Sequence, residues 1–150
     1  MLRLTRKTLL AIEAVLDVAY NARPNPVQSK DITKRQGIPQ RYLEQVMQQL
    51  VREGILKGVR GPKGGYRLAK ERRRISVGDI VRVVDELERQ EELEITVQSE
   101  LATLVVEPLW NEIQAQMLEQ FDRISIEQLY QKAIVNNVAT GNEINTDFTI

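Results

Sequence analysis

Apolar residues in this chain recur at helical spacing, give way to two short runs near the middle, and then return to helical spacing. Leu9, Ile12, Leu16 and Ala19 fall at i, i+3, i+7 and i+10, which predicts an amphipathic helix ending near Asn21. Pro24 and Pro26 break it. Ser29 is placed to cap a short second helix, Lys30–Gln36, with Gly37 as its left-handed stop. Pro39 stands where proline is best tolerated, at the first position of a third helix. That helix carries Leu43, Val46, Met47 and Leu50 on one side and ends at Gly54. The period then changes. Ile55–Arg60 and Gly65–Ala69 read as two short strands, with Gly61-Pro62-Lys63-Gly64 as the turn of a hairpin.

Helical spacing resumes at Ser76-Val77-Gly78-Asp79, a capping-box pattern that opens a fourth helix through Ile80, Val83, Val84 and Leu87. The Glu-rich stretch from Glu86 to Glu100 reads as a surface connection. A fifth helix begins near Pro108 or slightly before it and runs to about Arg123. Trp110, Ile113, Met117 and Phe121 recur along it as an apolar stripe. Ser125-Ile126-Glu127-Gln128 is a second capping box, opening a short helix to about Val135. Residues 136–150 have no clear period and are expected to form a loosely held tail.

Three helices followed by a hairpin is the element order of a winged helix-turn-helix, and the short Gly37-Ile38 link suits its tight turn. The expected fold is therefore mainly α with a small β-hairpin. It divides into a winged helix-turn-helix domain (1–74), a helical linker and dimerisation region (75–135), and a C-terminal tail (136–150). A lone helix cannot leave a wide apolar stripe in water. Trp110, Ile113, Met117 and Phe121 are accordingly expected to form a homodimer contact, packing back on the domain being the competing possibility.

Composition narrows the chemistry. Among 150 residues there is no cysteine and no histidine. Disulfides, thiolate metal sites, cysteine nucleophiles and histidine acid–base arrangements are thereby excluded. An enzyme would have to work with Asp, Glu, Lys, Ser, Thr or Tyr, and no pair of these converges on a recognisable site. No catalytic residue, metal site or cofactor is predicted. Arg3, Arg6 and Lys7 ahead of an apolar run could begin a signal peptide, but Glu13 and Asp17 interrupt it. The longest charge-free stretch, Ala133–Asn142, is ten residues and far short of a membrane span. A soluble, cytoplasmic protein is expected.

The formal net charge of zero conceals a strong asymmetry. Residues 1–74 hold 17 of the 21 Lys and Arg but 6 of the 21 Asp and Glu, a net of +11; residues 75–150 carry the opposite, −11. Such a split predicts a basic segment that meets a polyanion, joined to an acidic segment that does not.

The third helix presents Gln40, Arg41, Glu44, Gln45, Gln48, Gln49 and Arg52 opposite its apolar stripe. Gln can pair with adenine and Arg with guanine through two hydrogen bonds each, so this face can read a major groove; alone it would pass for a solvated helix face. The hairpin tip, Arg60-Gly61-Pro62-Lys63-Gly64 with Gly65-Tyr66 after it, sets two cations among glycines that permit close backbone approach. Arg is favoured in a narrow, electronegative minor groove. The glycine run lacks the Lys-Ser/Thr ending and strand-to-helix setting of a phosphate-binding loop, and nucleotide binding is discarded. Arg3, Thr5, Arg6 and Lys7, together with Lys30, Lys34 and Arg35 on the second helix, suit contacts to a phosphate backbone.

Leu4-Thr5-Arg6-Lys7, Tyr42-Leu43-Glu44-Gln45, Val59-Arg60-Gly61-Pro62 with Gly64-Gly65-Tyr66, and Val77-Gly78-Asp79-Ile80 together resemble the bacterial IscR/NsrR/CymR family, also called the Rrf-two family. The resemblance spans roughly residues 2–132. It implies a homodimeric winged-helix transcription regulator that binds double-stranded DNA at a palindromic operator, with a long C-terminal helix crossing to the partner subunit. By that resemblance the recognition positions are Gln40, Arg41, Tyr42, Glu44 and Gln45, and the minor-groove arginine is Arg60. Many members hold an iron–sulfur cluster on three cysteines and a further ligand. Aligned on Trp110, the last cysteine position is Leu104 and the neighbouring histidine position is Glu107, while the two earlier cysteines would fall in Glu91–Gln98, which has none. The chain thus resembles a cluster-free branch, responding to a regulatory protein or a small-molecule effector. The reading is a DNA-binding regulator, most simply a repressor, with a winged-helix protein–protein adaptor as the competing class.

Overall fold

The computed structural model describes residues 4–90 and 99–141. Its elements follow the predicted order. They are α1 (Arg6–Asn21), α2 (Ser29–Gln36), α3 (Gln40–Arg52), β1 (Leu56–Val59), β2 (Gly65–Leu68), a 3-10 turn (Arg72–Arg74), α4 (Val77–Arg89), a π-helical stretch (Ala102–Val106), α5 (Glu107–Asp122) and α6 (Ile126–Val135).

Helix α1 is the central post, packed against α2, α3, α4, α6 and β2. It meets so many neighbours because its buried residues are mostly small: Ala11, Ala14, Val15, Val18 and Ala19. The predicted stripe is corrected here. Leu9 is 61% exposed, and Ile12 and Leu16 are only half-buried. A single-stripe reading assumes one buried face, whereas a helix enclosed on several sides buries whichever residues let its neighbours come close. The stripe of α3 holds, with Leu43, Val46, Met47 and Leu50 fully buried; in α4 Ile80, Val83 and Val84 are buried and Leu87, near its end, is half-buried.

Local signals behave unevenly. Gly37 adopts φ 67° and closes α2, its N–H donating to the Thr33 carbonyl. Ser29, however, is the first residue of α2 rather than its cap; the capping position falls to Gln28, whose side chain makes no cap hydrogen bond. Pro39 likewise caps α3 instead of opening it. Both serine capping boxes form. Ser76 and Asp79 exchange two bonds of 3.0 Å, and Ser125 and Gln128 exchange two of 3.2 Å. The two boxes lie side by side, because the Val77 N–H donates to the Ile124 carbonyl and the Ile126 N–H to the Ile75 carbonyl, each at 2.8 Å.

The hairpin is antiparallel, pairing Leu56 with Leu68, Lys57 with Arg67, Gly58 with Tyr66 and Val59 with Gly65. Its β2 edge is covered by Val27, which exchanges two backbone hydrogen bonds with Tyr66. At the tip, Gly64 is buried, and a Cβ there would overlap the Val59 carbonyl oxygen, so the turn closes only around a glycine.

Beyond α4, Ile126 of α6 is fully buried in the main core, with Leu129 and Tyr130 packed beside it, so α6 shares that core with the first three helices. Asp122, at the end of α5, forms a bidentate pair with Arg82 of α4 at 2.6 and 2.8 Å. The tail is held further than expected. The Tyr20 hydroxyl donates to the Val138 carbonyl, and the Gly141 N–H donates to Asn21 Oδ1 at 2.7 Å. Residues 142–150 lie outside the described residues, as do Arg3 and Glu91–Gln98 of the acidic connection.

Candidate nucleic-acid interface

Burying its apolar stripe leaves α3 with one polar outer face. Gln40, Arg41, Glu44, Gln45, Gln48 and Arg52 are exposed, and Gln49 is half-buried. Gln40 donates to Glu44 and Gln49 to Glu53, each at 3.2 Å and one turn apart. Arg41 and Gln45 have no hydrogen-bond or ion-pair partner among the described residues. Their donors point outward from the first turns of the helix, ready for external acceptors.

Tyr42 is different in kind. It is half-buried against the core, and its hydroxyl donates to the Lys7 carbonyl at 2.6 Å. Burial, reinforced by the nearby Glu88 charge, pushes its phenol well above the ordinary tyrosine range. Its hydroxyl therefore ties the start of α3 to the start of α1, and the Lys7 ammonium lies 5.9 Å from its ring centroid. Thr5, the N-cap of α1, donates its hydroxyl to Glu88 Oε1 at 3.0 Å. Both residues hold the segment that presents Lys7. A shallow groove of about 220 Å³ runs between this segment, α3 and the end of α4, bringing Lys7, Tyr42, Gln45 and Arg52 together.

Lys30 is exposed on α2, as is Lys34. Arg35 corrects the reading of α2 as a row of phosphate contacts. Its guanidinium is committed to buried Asp17 of α1, with bonds of 2.9 and 2.7 Å, and the hydrogen bond to that carboxylate raises its pKa against the cost of burial. Gln36 adds a third bond to Asp17, at 2.8 Å. In the sequence, Asp17 reads only as a charge interrupting an apolar run. The signal that could have found it is a carboxylate among the buried positions of a helix, which demands a cation from elsewhere in the chain.

The hairpin forms a separate cationic projection. Arg60, Gly61, Pro62 and Lys63 are exposed, and Arg60 and Lys63 have no ion pair among the described residues. Tyr66 is half-buried on the core and sits behind the tip as support.

The four residues expected to pair two subunits divide. Met117 and Phe121 pack against Val77 and Val81 of α4. Trp110 and Ile113 remain 39% and 40% exposed. They continue an apolar surface through Leu109, Val105, Leu104 and Leu101, all more than half exposed. The inward half of the stripe thus follows the competing possibility of packing within the subunit.

Residues 4–132 match the Rrf2 family, described as an iron-dependent transcriptional regulator. This chain belongs to the Rrf2 family. It is 47% identical over 85 residues to the HTH-type transcriptional regulator IscR of Escherichia coli, an overlap covering 57% of this chain and 52% of that protein. The chain thus spans about half the length of the curated relatives it matches. Among solved structures, IscR of T. potens superposes with a TM-score of 0.70 at 32% identity, covering 94% of this chain and 95% of the other. CymR, the global cysteine regulator of B. subtilis, superposes with a TM-score of 0.66 at 28% identity, covering 88% and 98%.

The family's iron raises the question whether this Rrf2 member has ligands for it. Iron–sulfur clusters are held by cysteine thiolates, with histidine as a substitute at some irons. This sequence has neither residue. Leu104 lies in the π-helical stretch and is 73% exposed, and Glu107 is the exposed first residue of α5. Among the described residues, no group of three or more acidic side chains could hold a metal ion. The donors present do not fit a sulfide cluster.

Proposed function

We propose that this protein is a sequence-specific DNA-binding transcription regulator that works as a homodimer on a palindromic operator, in the cytoplasm and without an iron–sulfur cluster. The observation that carries the reading is the outer face of α3, where Arg41 and Gln45 hold unengaged hydrogen-bond groups while the opposite side is locked into the core. Such a helix, second in a helix-turn-helix, reads base edges in a major groove. Gln40 and Glu44 flank these readers. Arg60 enters the adjacent minor groove, with Lys63 and the backbone of Gly61, Pro62 and Gly64 following the phosphates. Lys7 and Lys30 position the domain on the backbone, and Thr5, Tyr42 and Tyr66 hold those groups in place.

The exposed surface from Leu101 to Ile113, Trp110 included, pairs two copies, and the pair matches the symmetry of its operator. Occluding a promoter then makes the protein a repressor, with a regulatory protein or small effector as its signal. No helix among the described residues is long and apolar enough to cross a membrane, in keeping with this setting.

A gel shift on the promoter of its own operon, against a scrambled competitor, tests the reading. Retention of the promoter complex in excess scrambled DNA is the expected result. A winged-helix adaptor would give no such preference.

A further inference from the structure

We propose that the groove bounded by the C-terminal end of α1, β2, the 3-10 turn and α6 docks an acidic, partly apolar peptide segment of a protein partner. The groove encloses about 610 Å³ and takes no lining residue from α2, α3 or the hairpin tip. It is separate from the surface assigned to DNA.

Its charge is not neutralised from within. The lining holds five cations (Arg23, Arg67, Lys70, Arg72, Arg73) and two carboxylates, Glu71 and Glu127. Glu127 is taken by Arg72 at 2.6 Å, and Glu71 by Arg73 at 3.4 Å. Arg67 spends its donors on the neutral carbonyls of Ala22 and Pro24, so its charge remains. Lys70 is exposed with no ion pair among the described residues. Arg67 and Lys70 therefore face the groove with charges that no carboxylate among the described residues offsets. Its wall is rigid, because the Arg72 guanidinium lies 3.8 Å from the Tyr130 ring centroid while holding Glu127.

The floor decides the kind of partner. It is formed by Ala19, Ala22 and Leu68, small or apolar groups that offer nothing to a phosphate. A duplex presents one negative charge per roughly 1.7 Å and would meet Glu71 and Glu127 as well as the cations. A peptide can alternate, placing carboxylates beside Lys70 and Arg73 and an apolar residue on the floor. Exposed ion pairs of this sort contribute modestly each, so the contact is weak and salt-sensitive.

The test uses the full chain and a fluorescein-labelled peptide of about ten residues alternating Glu with Ala and Leu. An all-Glu peptide and a duplex DNA of unrelated sequence serve as the other probes. Fluorescence anisotropy should show the mixed peptide binding the native chain about tenfold more tightly than the Lys70→Glu/Arg73→Glu variant. The all-Glu peptide should bind the native chain more weakly than the mixed one, and the duplex should bind both proteins within about twofold. The milder Lys70→Ala/Arg73→Ala variant, with its fold checked by circular dichroism, should give an intermediate loss of the mixed peptide. Equal peptide binding by native and variant chains, or none to either, would overturn the proposal. So would a duplex affinity that fell as far as the peptide affinity, because the groove would then be a phosphate contact. None of these arms uses an operator, so the proposal stands or falls apart from the regulator reading.

Discussion

A carboxylate inside a helical core has to be paired, and Asp17 is paired three ways. Arg35 and Gln36 close on it from α2, so the helix-turn-helix corner is fastened to α1 by charge as well as by apolar packing. Asp17→Ala would strand the Arg35 guanidinium, which is partly open to solvent. Breaking a buried pair costs about 3–5 kcal/mol, and access to water should hold the loss here near the lower end. Urea unfolding would measure it; a loss under about 1 kcal/mol would mean the pair is idle. Base reading also rests on single side chains. Arg41→Ala or Gln45→Ala should cost about 1–3 kcal/mol at particular operator positions, whereas Arg60→Ala should weaken binding and relax preference for A·T-rich flanks. A panel of single-base operator changes distinguishes the two patterns, and identical losses on every sequence would refute the assignment.

At the scale of elements, two ion pairs hold the last helices: one ties α5 to α4, and the other ties α6 to the 3-10 turn after the hairpin. Arg82 holds Asp122 and Arg72 holds Glu127, and in each case the hydrogen bond from the arginine keeps the carboxyl below its ordinary range. A carboxylate whose folded pKa is depressed stabilises the fold above its unfolded pKa, and that gain disappears as pH falls through the folded value. The native chain should therefore out-melt Glu127→Gln at neutral pH, with the margin shrinking below about pH 4.3. A margin that stayed constant from pH 7 to pH 3 would show that the Glu127 charge plays no part. Helix α5 offers a second test. Trp110 and Ile113 face outward while Met117 packs on α4. The Trp110→Glu/Ile113→Glu variant should sediment as a folded monomer, and Met117→Glu should lower the melting temperature. A dimeric double variant would place the pairing surface elsewhere.

At the scale of the molecule, the parts legible in the sequence were those fixed by neighbouring residues. Both capping boxes, the Gly37 stop, the stripe of α3 and the glycine-bound hairpin tip need only a few adjacent side chains to act. What the sequence left hidden depends on distant partners. Which face of α1 is buried, where the Asp17 charge goes, and how α5 divides between α4 and open surface follow only once the elements are assembled. The interface divides the same way. The exposure of Arg41, Gln45 and Arg60 could be read from spacing, but the anchoring of Tyr42 to Lys7 and of Thr5 to Glu88 could not.

The charge asymmetry is also a whole-molecule property, and it makes DNA binding by the basic half measurable through salt. A dimer meeting its operator through the basic half should contact roughly 6–10 phosphates, giving a log–log salt slope of about −0.9 per phosphate. Anisotropy titrations of a fragment of the protein's own promoter and a scrambled fragment, each over a range of salt, report affinity and specificity together. Both fragments should show steep salt dependence, with the promoter bound at least about a thousandfold more tightly at physiological salt. Equal affinity for the two fragments, or affinity that barely moves with salt, would contradict sequence-specific binding through the basic half.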